Sequence, residues 1–215
     1  MTGPVGAAVT GGPGAGAAAA TIGRPYGSGR TPVYDPKMKS DVNRLVPRER
    51  APRPAPPGVD IGHVHLKTAD LDRVYAFYVG ILGFDVVTRM PDALFLSTGG
   101  YHHDLGFNTW TSRGGSPPPM GTTGLYHVAI RYPTRAALGD ALVRLMDAGW
   151  PLSGVNDHGT HEAIYLSDPD GNGLELCCDR PEADWPLDAD GHLAFDGSHG
   201  DLNQMVQELI DLGRS

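Results

Sequence analysis

The residues of this chain best suited to chemistry are His63, His127 and Glu175. Two neutral imidazoles and one carboxylate can hold one face of an octahedral divalent metal. They leave the opposite face open for substrate and O₂, the arrangement used by non-haem Fe(II) oxygenases. Each of the three lies in an alternating stretch of strand character, where successive side chains point to opposite faces. Val64 and Leu66 share one face of the first stretch, while His63 and His65 share the other. Val128 and Ile130 oppose His127, and Leu174 and Leu176 oppose Glu175. With the apolar faces packed under helices, the three candidate ligands would line the other side of the sheet. His65 shares the face of His63 and is its competitor.

The elements that must position these residues occur twice. Gly62-His63-Val64-His65-Leu66 leads into a run through Val74, Phe77 and Tyr78 that stops at Gly83. Tyr126-His127-Val128-Ala129-Ile130 leads into a run through Leu138, Leu142 and Leu145 that stops at Gly149. Apolar residues three or four apart, closed by glycine, predict an amphipathic helix in each. Further alternating segments follow both helices. The result is two βαβββ-like modules 64 residues apart, too long a period for a solenoid. The expected class is α+β, with the two modules forming one cupped mixed β-sheet, its strand order open.

Between the modules, Thr111 to Thr123 reads as a Gly- and Pro-rich crossover with Trp110 as a packing anchor at its start. The run Asp168-Pro169-Asp170-Gly171 lacks the spacing of a calcium loop, which needs glycine at position six and glutamate at position twelve. It reads instead as a hairpin turn that delivers the strand of Glu175. A late amphipathic helix, Asp201 to Leu212, carries Leu202, Met205, Val206, Leu209 and Ile210 on one stripe. It is expected to dock on the domain or on a second subunit.

Three segments together resemble a known group. Ile61-Gly62-His63-Val64, Leu125-Tyr126-His127-Val128-Ala129-Ile130 and Asp168-Pro169-Asp170-Gly171-Asn172-Gly173-Leu174-Glu175 are similar to the vicinal oxygen chelate superfamily, over roughly residues 58 to 183. Within it the likeness is to type I extradiol, catechol 2,3-dioxygenase-like enzymes. The resemblance implies a vicinal oxygen chelate fold with His63, His127 and Glu175 on a metal, Fe²⁺ or alternatively Mn²⁺. It implies ring cleavage of a small aromatic diol by O₂. His102-His103-Asp104-Leu105-Gly106-Phe107 is similar to the stretch that carries the acid–base histidine, which gives His103 that role and leaves His102 as the alternative. Tyr165 falls where a substrate-side tyrosine is expected, and His158-Gly159 resembles a further active-site histidine, two residues closer to its tyrosine than is usual. The superfamily also holds glyoxalase-type isomerases and thiol transferases, which use a non-redox metal and a fourth protein ligand, here Asp104 at best. It includes metal-free small-molecule (antibiotic) binding proteins of the bleomycin-resistance type as well.

Composition bounds the rest. Residues 1–55 are rich in Gly, Ala and Pro and poor in aliphatics, which predicts a disordered tail. The expected domain then spans 58–183, with modules at about 58–112 and 122–183, and 184–215 form an extension bearing the late helix. The tail carries a formal +5 and the remainder −13 of the total −8. An acidic domain argues against nucleic-acid binding. No apolar run reaches membrane-spanning length, and no basic start followed by an apolar core suggests secretion. The only cysteines, Cys177 and Cys178, are adjacent and suit neither a structural disulfide nor a zinc site. A cytoplasmic protein is expected, with a homo-oligomer as an option and with His161, His192 and His199 on its surface.

Overall fold

The computed structural model describes residues 54–194, 197 and 199–215. All but the last two residues of the expected tail lie outside that range. Residues 58–215 form one compact unit. Its first module runs β1 (Val64–Lys67), α1 (Leu71–Tyr78), β2 (Asp85–Arg89), β3 (Ala93–Ser97) and β4 (Leu105–Asn108). The second runs β5 (Val128–Arg131), α2 (Arg135–Asp147), β6 (Leu152–Asp157), β7 (His161–Ser167) and β8 (Gly173–Asp179), followed by α3 (Leu202–Gly213). Each module builds a four-stranded mixed sheet in the same order, β1-β4-β3-β2 and β5-β8-β7-β6. Only the β1–β4 and β5–β8 pairs are parallel, because each of these pairs is joined through the helix and two further strands.

Side chains at the chain's helix starts set where the helices begin. The Asp70 carboxylate accepts from the Asp72 and Arg73 amides, and the Thr134 hydroxyl accepts from the Ala137 amide. Each cap satisfies donors that the first helical turn leaves open. Behind them, the apolar stripes do the packing. Val74, Phe77 and Tyr78 of α1 and Leu138, Leu142 and Leu145 of α2 are buried against Leu94, Leu96 and Phe107 of the first sheet and Ile164, Leu174 and Leu176 of the second. Burying each such side chain stabilises the fold by roughly 1.5–3 kcal/mol, so one core serves both modules.

A hydrogen-bonded turn adds a polar link between the modules. The Asp168 carboxylate accepts from the Asp170 and Asn172 amides within the β7–β8 turn, and from the buried Tyr78 hydroxyl of α1 at 3.2 Å. Asp170 takes the Ala69 amide and the Arg73 guanidinium. The acidic run is therefore a turn and a clamp, with Asp168 and Asp170 Oδ1 engaged by protein donors. On the outer side α3 docks on the domain itself, burying Met205 and Leu209 against the core while Arg135 of α2 bridges Glu162 and Glu208. No helix among the described residues is long and apolar enough to cross a membrane.

Candidate metal centre

Register explains how the second module gathers its polar groups. β8 pairs with β5 on one side and β7 on the other, placing Glu175 opposite both Ala129 and Tyr165. Paired residues point to the same face, so His127, Ala129, Glu175, Ala163, Tyr165 and His161 share one. His127 Nε2 reaches Glu175 Oε2 at 3.0 Å. The Tyr165 hydroxyl donates to Glu175 Oε1 at 2.8 Å, and His158 Nε2 lies 2.7 Å from the same hydroxyl. Because the phenol proton goes to the carboxylate, His158 must donate its Nε2–H to the phenol oxygen. The row His158–Tyr165–Glu175 thus crosses the sheet as one hydrogen-bonded chain, with His127 in ion-pair contact at its end.

Glu175 is 6% exposed, and a buried carboxylate without partners would cost several kcal/mol. Burial alone would raise its pKa, but the Tyr165 hydroxyl and the His161 and His127 imidazoles outweigh it and hold the group below the usual carboxylate range. Burial, followed by the neighbouring carboxylate, raises the Tyr165 phenol. Burial and His161 lower the His158 imidazole. The face therefore presents a carboxylate held charged beside the Tyr165 hydroxyl and the His127, His158 and His161 imidazoles.

In the first module, the histidines sit together. The His63 and His103 rings lie 4.4 Å apart, and His103 meets the edge of Phe95 at 5.1 Å. β4 begins only at Leu105, so His103 precedes the regular alternation and reaches the face of Phe95. His102 and His103 approach through their Nδ1 atoms at 2.7 Å. Burial, then His63 and His102, lowers the His103 imidazole. His65 is committed elsewhere: its Nε2 accepts from Asn108 Nδ2, 2.9 Å away, and its ring packs beside Phe95 and Trp110. Trp110 is 55% exposed, more a rim residue than the anchor expected of it.

His63 and His127 line one cavity of about 810 Å³ between the edge strands β1 and β5, together with Asp104 and apolar residues such as Leu82, Phe84 and Ile130. Among the described residues, two sets of three metal-binding side chains have ligand atoms within 4.8 Å of one another: His158, His161 and Glu175, and the exposed Asp188, Asp190 and His192. Of the expected ligands only Glu175 belongs to one of them; His63 and His127 belong to neither. His161, expected on the surface, instead points its Nε2 at Glu175 Oε1, 3.0 Å away. Strand parity carried the signal: residues 161 and 165 share a face, so an inward Tyr165 implies an inward His161.

The donor set suits a divalent metal. His127 Nε2 and Glu175 Oε2 face each other across 3.0 Å, with the carboxylate held charged.

The chain matches the Glyoxalase/Bleomycin resistance protein/Dioxygenase superfamily over residues 60–176. A catechol-2,3-dioxygenase of Bacillus subtilis (strain 168) is 36% identical over 151 residues, covering 70% of this chain and 52% of that protein. Biphenyl-2,3-diol 1,2-dioxygenase 3 of Rhodococcus globerulus is 34% identical over 122 residues, covering 56% of this chain and 63% of that protein. The chain thus spans about half to two thirds of the length of these curated relatives. A glyoxalase/dioxygenase structure from Nostoc punctiforme has the same fold, with a TM-score of 0.51 and 20% identity over 62% of this chain and all of that one. With its paired βαβββ modules and a family match across more than half its length, the chain belongs to the glyoxalase/bleomycin resistance protein/dioxygenase superfamily.

Proposed function

We propose that the chain is a divalent-metal-dependent dioxygenase of the extradiol type, which opens a catecholic ring beside its diol with O₂, and that residues 58–183 are its catalytic domain. The observation that carries this reading is the row His158–Tyr165–Glu175–His127 on one face of the second sheet. The His63–His103 pair supports it from the first, sharing a cavity with His127 through His63. The diol class comes from the names of the two relatives.

His63, His127 and Glu175 would hold the metal, Fe²⁺ or alternatively Mn²⁺. When bound, it supplies Lewis acidity toward the diol oxygens and a path for electrons to O₂. The chain's own groups do the rest. His127 would ligate through Nε2, the atom that faces Glu175 Oε2, with its one proton on Nδ1. His103, beside His63 and Phe95, accepts the proton of a diol hydroxyl and later returns it, with His102 as the alternative base. Tyr165 and His158, already aligned with each other, hydrogen-bond charge developing on substrate oxygen. An isomerase or transferase would need a fourth protein ligand. Its candidate, Asp104, is engaged by Ser97 Oγ at 3.1 Å and the Thr98 amide at 2.9 Å.

The test is anaerobic loading with Fe²⁺ followed by a catechol panel, with O₂ uptake and visible absorbance recorded together. A semialdehyde band that disappears in Glu175→Ala supports the reading. Bound metal without O₂ uptake across the panel overturns it in favour of isomerase or transferase chemistry, and failure to bind any metal overturns it in favour of a binding protein.

A further inference from the structure

His161 has no part in the mechanism above, yet it is bound into the same carboxylate. Its position follows from the β6–β7 hairpin. Asp157 pairs with Glu162, so His158 and His161 are the next opposed pair, closed by the His158 amide on the His161 carbonyl at 2.9 Å. Side chains opposed in this way stand on the same face within contact distance. The two rings accordingly lie 4.7 Å apart and 30° from parallel.

The turn between them is held firmly. Gly159 sits at φ +76°, and a Cβ there would come within 3.0 Å of Pro186 and the His199 ring. Its amide donates to Asp157 Oδ1 at 2.9 Å, and Asp157 is in turn gripped by Arg180 at 2.6 Å. Both imidazoles therefore project from a rigid two-residue turn. His161 Nδ1 meets the Thr160 hydroxyl at 2.9 Å, leaving Nε2 to face Glu175 Oε1.

We propose that His158, His161 and Glu175 form a second seat for a divalent cation, on the Oε1 side of Glu175, distinct from the seat that uses His63 and His127. Their ligand atoms lie within 4.8 Å of one another. The Tyr165 phenol oxygen, 2.7 Å from His158 Nε2 and 2.8 Å from Glu175 Oε1, supplies a fourth donor. Tetrahedral bonds of about 2.0–2.1 Å set donor atoms roughly 3.3–3.4 Å apart, so the contacts at 2.7–3.0 Å must open by about 0.3–0.7 Å while any wider pair draws in. The Tyr165 oxygen closes this set into a four-coordinate site of the kind zinc prefers, and Zn²⁺ outranks Fe²⁺ and Mn²⁺ in affinity for such donors. The seat stands on geometry alone. Its consequence rests on the proposed function: zinc there would take His158 and Tyr165 out of the proton network and inhibit turnover.

Zn²⁺ titration of the metal-free full chain by calorimetry decides it. His63→Ala, which removes a ligand of the first seat only, should still bind one Zn²⁺. Adding either His161→Ala or His158→Ala to it should weaken that binding by at least about 100-fold. Two independent second variants guard against one that merely unfolds. The proposal is overturned if His63→Ala binds no Zn²⁺, or if its Zn²⁺ binding is indifferent to both additions. A wild-type protein that binds Zn²⁺ in this pattern yet never consumes O₂ would leave the seat standing and remove the dioxygenase reading instead.

Discussion

The two sheets share strand order, helix placement and register, yet they distribute bulk in opposite ways at one matched position. In the first, His65 on β1 stands opposite Gly106 on β4; in the second, Ala129 on β5 stands opposite Glu175 on β8. The large side chain has changed strands. A Cβ on Gly106 would lie 2.9 Å from His65 Nδ1, so the first sheet has no space for a carboxylate there. The small Ala129 leaves that space open for Glu175. Duplication gave the protein two equivalent frames, and this exchange lets the second carry a carboxylate at the level where the first carries the His65 imidazole.

Removing the charge should have the largest effect. Glu175→Gln is expected to lower Fe²⁺-dependent O₂ uptake by roughly 10²–10³-fold, the scale for losing a positioned electrostatic group. A variant with near-normal uptake would break the claim that the second sheet holds the essential charge. Next comes Ala129→His, which imposes the first sheet's arrangement on the second. A ring there should displace Glu175 and cut kcat/KM by about 100-fold, since misplacement by about 1 Å suffices for that. Metal content measured on the same sample separates lost ligation from lost alignment.

Gly106→Ala probes the first sheet. Crowding His65 off Asn108 should cost about 1–3 kcal/mol, read as a melting temperature lower by several degrees. An unchanged melting temperature would mean that the glycine is not what makes room for His65. The smallest effect is expected at the link between the modules. Tyr78→Phe removes a donor from buried Asp168 and should reduce unfolding free energy by about 1–2 kcal/mol in urea titrations, with both modules still unfolding together.

Much of this arrangement was legible in the chain. Alternation around His63, His127 and Glu175 assigned their faces, and the helical spacing of Val74, Phe77, Leu138 and Leu142 identified the buried stripes. What alternation does not convey is which strand lies beside which. The meeting of His161 with Glu175, 14 residues later, depends on the β7–β8 register and on the small Ala163 between His161 and Tyr165. The Gly106–His65 contact depends on the parallel β1–β4 pairing across the intervening helix and hairpin. The role of Asp168 was only half readable: its turn is local, whereas its partner Tyr78 lies 90 residues away.

That last bond has a consequence for how the chain folds. Among the described residues, every pairing of β1 to β8 closes within its own module, so each sheet can be assembled from a contiguous stretch. Only contacts such as Tyr78 to Asp168 must span both. Loop-closure entropy grows with the logarithm of loop length, and each doubling adds only about 0.6 kcal/mol. Joining the halves at a separation of 90 residues is therefore little harder than closing a parallel pair inside one of them. A duplicated architecture of this kind gains a second frame for its site at almost no topological cost.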